Sequence, residues 1–93
     1  MPSRVAITVT ISNRLGLHAR PAMEFVDTAS RYTCSVTVRR SDQSEIVDGK
    51  SIMDIMMLAA TRGTDLEVVC DGADAEAAAQ ALKALVDRGF DEE

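Results

Sequence analysis

"RVAITVTISNRLGLHARPAMEF", residues 4–25, changes its hydrophobic rhythm halfway. Val5, Ile7, Val9 and Ile11 alternate with Ala6, Thr8 and Thr10, the period of two that marks a half-buried strand. "SNRLG" has no rhythm and reads as loop. Pro21 suits the first turn of a helix, where its missing N–H costs nothing. Ala22, Phe25, Val26 and Ala29 then recur at helical spacing, which predicts an amphipathic helix over residues 20–30.

The rest of the chain continues in the same way. Val36 and Val38 alternate with Ser35, Thr37 and Arg39. The polar turn "RRSDQS" leads to a short strand at residues 45–48, and the two strands make a hairpin. "DGKSIMDIMMLAA" is a turn followed by a short helix with Ser51 as N-cap. "TRGTD" breaks that helix, and Leu66, Val68 and Cys70 form a fourth strand. Residues 73–88 read as a strong last helix. Ala75, Ala78, Leu82, Leu85 and Val86 make its inner face, and Glu76, Gln80, Lys83 and Asp87 its outer face. "GFDEE" reads as a frayed acidic end. The order β-α-β-β-α-β-α predicts an α+β fold, an antiparallel sheet with one face covered by helices. Residues 1–93 are expected to form a single domain, and the fold class by itself gives no function.

Composition narrows the function classes. The chain has 93 residues, enough for one small domain and not for two. Tyr32, Phe25 and Phe90 are its only aromatic residues, too few for stacking on bases. A formal charge of −5 argues against nucleic acid or an anionic membrane as partner. No run reaches transmembrane length, and "MPSRVAITVT" alternates where a signal peptide would be continuously apolar. Cys34 and Cys70 form no CxxC, and one histidine cannot complete an obvious zinc site with them. Both read as small buried thiols, consistent with a reducing cytoplasm. No cofactor or metal is expected.

His18 is the single histidine, and it lies just before the helix that Pro21 opens. A helix start presents unpaired N–H groups and a partial positive charge, which favour an anion. Arg20 adds a cation whose fork suits phosphate oxygens. Neutral imidazole is a good nucleophile near pH 7. Gly16 lets the backbone turn tightly beside the ring. One arginine and one helix end make a modest clamp, as a group that must be passed on requires. The bland alternative is a histidine that only caps the helix.

"LGLHARPA" resembles the active-site motif of the HPr family, histidine-containing phosphocarriers of the bacterial phosphoenolpyruvate-dependent phosphotransferase system. "GKSIMDIMMLAATRG" resembles the family's second signature at the expected distance, and the element order agrees from Val5 to Arg88. The resemblance implies a sheet of order 1-4-2-3. It implies that Nδ1 of His18 carries a phosphoryl group, with Arg20 assisting. The group would arrive from enzyme I and leave to sugar-specific acceptor domains of enzyme IIA type. Such a protein is a carrier and not an enzyme in the turnover sense.

"SEIVDGKS", residues 44–51, nearly spells a phosphate-binding loop, but Ser44 stands where the first glycine belongs, and nucleotide binding is rejected. The helix after Ser51 is too apolar for one buried face. Ile55, Leu58 and Ala59 are expected inside. Ile52, Met53 and Met56 form a second stripe, either a wide core face or a docking patch, for which methionine is well suited. The resemblance favours docking to enzyme I and acceptor domains, with Ala22 and Met23 extending the patch. Ser51 and Asp54 fit a variant capping box, Asp54 reaching back. Ser51 also matches a serine that a dedicated kinase, HPr kinase/phosphorylase, modifies in some lineages. Asp54 stands where regulated members often have glycine, and Glu24 and Asp27 stand in a helix where many members carry lysines. Two rival readings remain: a regulatory or nitrogen-branch paralogue that serves no sugar import, and a small α/β ligand-binding module. Nothing in the sequence demands more than a monomer.

Overall fold

The computed structural model describes residues 3–92. Strand β1 (Ser3–Thr10) leads into helix α1 (Ala19–Ser30), followed by β2 (Ser35–Arg40) and β3 (Val47–Asp48). Helix α2 (Ile52–Met57), strand β4 (Asp65–Gly72) and helix α3 (Ala75–Asp87) come next, and then a 3-10 turn at Gly89–Asp91. All strand pairs are antiparallel, in the order β1-β4-β2-β3. The predicted α+β plan and its 1-4-2-3 sheet are therefore present.

Alternation along each strand decides which face is covered. Val9 of β1, Val36 and Val38 of β2, and Leu66, Val68 and Cys70 of β4 are buried on one face. Their neighbours Thr8, Thr37, Glu67 and Val69 line the other face, where the Arg39 guanidinium pairs with Glu67 at 3.4 Å. Helix α3 lies across β1 and β4, and α1 packs on α2 and α3. The predicted inner faces of α1 and α3 are buried as expected, with Ala79 added to α3. Each large apolar side chain so enclosed contributes about 1.5–3 kcal/mol relative to exposure. Both cysteines are free and buried, and burial pushes the Cys70 thiol up to about 11.

Four local readings are corrected. Helix α2 stops early, because Ala59 takes a φ of +50°. That turn leaves Ala59 exposed and sends Ala60 into the core instead. Ser51 does cap α2, its Oγ accepting from the Asp54 N–H at 3.3 Å. The reciprocal half of the box is missing, because the Asp54 carboxylate accepts from the Asp48 N–H at 3.1 Å. Strand β3 has only two residues. Gly89–Asp91 form no frayed tail, since Phe90 is 1% exposed within the 3-10 turn, and Glu93 lies outside the described residues.

Gly49 and Lys50 have structural work in place of nucleotide binding. A Cβ on Gly49 would lie 2.5 Å from Val36 Cγ1, so glycine lets β3 close on β2. The Lys50 ammonium donates to the Tyr32 carbonyl at 2.7 Å and ties this turn to the end of α1.

Candidate functional site

The loop between β1 and α1 is clamped from below. Ile11 N–H donates to the Thr64 carbonyl at 2.9 Å, and Leu17 N–H to the Ala60 carbonyl at 2.9 Å. Gly16 sits at φ +70°, and a Cβ there would stand 2.4 Å from the Ala60 oxygen. Backbone cannot yield at that distance, so the turn before His18 requires glycine. Asn13, 1% exposed, holds the loop from inside by donating Nδ2 to the Gly16 carbonyl at 2.8 Å.

His18 occupies the N-cap position of α1 with extended backbone angles, and its carbonyl accepts from Ala22 N–H at 3.0 Å. Its ring makes no capping hydrogen bond among the described residues, so capping is not what the imidazole does. The ring is 38% exposed. Nε2 lies 2.9 Å from Glu92 Oε1, and no bond to Nδ1 is formed among the described residues. The first turn of α1 carries no acidic side chain to offset its positive end.

Glu92 is the site residue that the sequence reading missed. The chain doubles back through Phe90 and Asp91, both at φ +57°, and lands the carboxylate on the imidazole. Asn13 Nδ2 donates to the same oxygen at 3.1 Å. The hydrogen bond from His18, then that from Asn13, hold the Glu92 carboxyl below the usual carboxylate range, with Arg20 adding attraction through space. A signal for this existed in the sequence. Phe90 follows Val86 at helical spacing and continues the inner face of α3 past Gly89.

Arg20 makes no hydrogen bond to the ring among the described residues. Its exposed guanidinium pairs with Glu24 at 3.5 Å along α1. The apolar stripe of α2 faces outward: Ile52, Met53 and Met56 are exposed, Met53 at 75%. Met23 on α1 and Leu15 in the loop before His18 are exposed as well, and Met57 lies on the same short helix as the stripe. Ala22 does not belong to it. It is fully buried, because it points to the core side of α1 along with Phe25 and Ala29. Ser51, half-buried, borders the stripe at the start of α2. No group of three His, Cys, Asp or Glu side chains among the described residues could hold a metal ion, and no described helix is long and apolar enough to cross a membrane.

Residues 5–88 match the protein family described as "PTS HPr component phosphorylation site". The chain is 51% identical over 87 residues to phosphocarrier protein HPr of Pseudomonas aeruginosa, which covers 94% of this chain and 96% of that one. It is 36% identical over 86 residues to phosphocarrier protein NPr of Klebsiella oxytoca, covering 92% and 94% of the two chains. The crystal structure of HPr-C-His from Thermoanaerobacter tengcongensis superposes with a TM-score of 0.89 at 39% identity, over 96% of this chain and 98% of that one. A match that runs from β1 to the end of α3 in both sequence and fold leaves one conclusion: the chain belongs to the HPr family of phosphocarrier proteins of the bacterial phosphotransferase system.

Proposed function

We propose that this chain accepts a phosphoryl group on His18 from enzyme I and passes it to acceptor domains of enzyme IIA type. The observation that carries the reading is the half-exposed His18 ring, with Nδ1 unbonded among the described residues, at the start of α1, whose first turn carries no acidic side chain. The lone pair of Nδ1 forms the new bond to phosphorus. The donor's bond to phosphorus breaks, and its electron pair returns to the donor. The charge of the phosphoryl oxygens then lies near the free N–H groups of the first turn of α1. Arg20 needs only to exchange its exposed Glu24 partner for phosphate, and an exposed i,i+4 pair holds it by about 0.3–0.5 kcal/mol. Transfer onward restores the ring, so the protein is a carrier with a transient phosphohistidine and not a catalyst in its own right.

Leu15, Met23, Ile52, Met53 and Met56 supply the docking face beside the ring. Flexible methionines suit a surface that must fit a donor and several acceptors in turn. A phosphoryl group on Ser51 would set a dianion at the edge of that face and oppose apolar docking. With such partners the protein would act in the cytoplasm, and the carrier role requires no more than a monomer. A second reading, service in a nitrogen branch, draws on the likeness to NPr and on Glu24 and Asp27 in α1. The carrier chemistry is the same in both.

Incubation with enzyme I and labelled phosphoenolpyruvate tests the reading. Acid-labile, base-stable label on the wild type and none on His18→Ala is the expected result. Equal labelling of His18→Ala would overturn it.

A further inference from the structure

We propose that Glu92 is a positioning residue for phosphoryl transfer, its carboxylate holding the His18 ring as the Nε2–H tautomer so that Nδ1 presents a bare lone pair. The proposal rests on the reading of His18 as the phosphoryl acceptor. Its basis is the geometry of the doubled-back chain end. An ionised carboxylate only accepts hydrogen bonds, so at 2.9 Å the hydrogen between Glu92 Oε1 and His18 Nε2 belongs to the ring. A neutral imidazole has one N–H. With that hydrogen fixed on Nε2, Nδ1 is left as the nucleophile.

The carboxylate is held in place from two sides. Asn13 donates to the same oxygen at 3.1 Å, and its amide cannot turn over, because its oxygen would then face the Glu92 carboxylate and the Gly16 carbonyl. On the other side, the buried Phe90 anchors the turn that delivers Glu92. Phe90 and Asp91 both sit at φ +57°, a conformation that non-glycine residues keep only where surrounding structure imposes it. A backbone that strained ends on the one histidine of the protein.

The contact serves both halves of the carrier cycle. On loading, Nδ1 bonds to phosphorus and the ring becomes cationic across Nδ1 and Nε2–H. The Glu92 charge, 2.9 Å from Nε2, offsets that gain. On unloading, the P–Nδ1 bond breaks and its electron pair stays on Nδ1. Because Nε2 has kept its hydrogen, the ring leaves as neutral imidazole and not as imidazolate. Glu92 never touches the phosphoryl group and acts through the ring.

Nitrogen-15 NMR of the His18 ring near pH 8, combined with transfer rates from enzyme I, tests this. Wild type should show the Nε2–H tautomer alone. Glu92→Ala should show a mixture of tautomers in a protein that still folds, with only a small drop in its thermal melt, and transfer about tenfold slower, the size expected for one charge-assisted hydrogen bond. Glu92→Gln keeps an accepting oxygen but not the charge. It should restore the tautomer and recover only part of the rate. A wild-type tautomer in Glu92→Ala, or a wild-type transfer rate whatever the tautomer, would overturn the proposal. Absence of phosphate on the wild-type protein would instead overturn the phosphocarrier reading, while the tautomer would still report on Glu92.

Discussion

Replacing Phe90 with alanine should be far more damaging than its place beyond the last long helix suggests. The side chain is 1% exposed and joins the core formed by the sheet and the helices. Truncating an enclosed phenylalanine costs about 3–5 kcal/mol, from lost transfer energy and the cavity left behind. The positive φ adds nothing to this, because alanine inherits the same backbone strain. A folded chain of 93 residues has a total stability of roughly 5–14 kcal/mol, at about 0.05–0.15 kcal/mol per residue. Phe90→Ala therefore stays folded at 25 °C on all but the lowest estimates, and loses a large share of its stability. At about 4–8 °C per kcal/mol for a domain of this size, its Tm should fall by about 12–40 °C. Urea denaturation followed by circular dichroism gives the midpoint directly, with an unchanged slope if the variant unfolds in one step. A frayed tail would behave differently, since exposed substitutions stay within about 0.5 kcal/mol. An unchanged midpoint would refute the packed C-terminal turn and, with it, the delivery of Glu92 to His18.

Three further outcomes are expected. Met53→Glu should weaken enzyme I binding by more than about 1 kcal/mol, as loss of an apolar anchor at an interface does, while the Tm stays at the wild-type value; a Tm lowered by several kcal/mol equivalents would return Met53 to the core. Ser51→Asp should slow phosphorylation of His18 without altering the fold, and wild-type rates together with no phosphate on Ser51 in cells would reduce that serine to a helix cap. Glu92 should titrate below the ordinary carboxylate value of 4.5. Its folded-state pKa is the lower one, so the tail contact stabilises the protein above the carboxylate range and is lost as pH falls through the lowered value; carbon-13 NMR showing an unshifted Glu92 would remove the contact.

The fold was largely legible because its elements carry clean periods. Val5, Ile7, Val9 and Ile11 recur at a period of two, as do Leu66, Val68 and Cys70 despite the apolar Val69 between them, and Ala75 to Val86 keeps helical spacing, so pattern alone placed them. Helix α2 was harder. Its end depends on Ala59 adopting a φ of +50°, a conformation that no residue preference of alanine announces. Sequence spacing pairs Asp54 with Ser51, yet the Asp48 N–H six residues earlier lies within its reach, and spacing rules for a helix start say nothing of the preceding turn. Adjacency to Met23 suggests the docking patch for Ala22, but its helical phase with Phe25 and Ala29 assigns it to the core. His18 and Gly16 were visible as a local motif. Glu92 was not, because its contact with His18 spans 74 positions and depends on a turn made by two residues at positive φ. A run of acids after a helix resembles solvated charge until the burial of Phe90 is known.

The most direct test of the account is the attachment site of the phosphoryl group in the phosphorylated protein. Phosphorus–nitrogen coupling in nitrogen-15-labelled protein identifies which atom is bonded to phosphorus. The account predicts one phosphoryl group, on Nδ1 of His18, with Nε2 still carrying its hydrogen toward Glu92. Phosphorus delivered by enzyme I to Nε2, the atom that Glu92 faces, or to any residue other than His18 would contradict it.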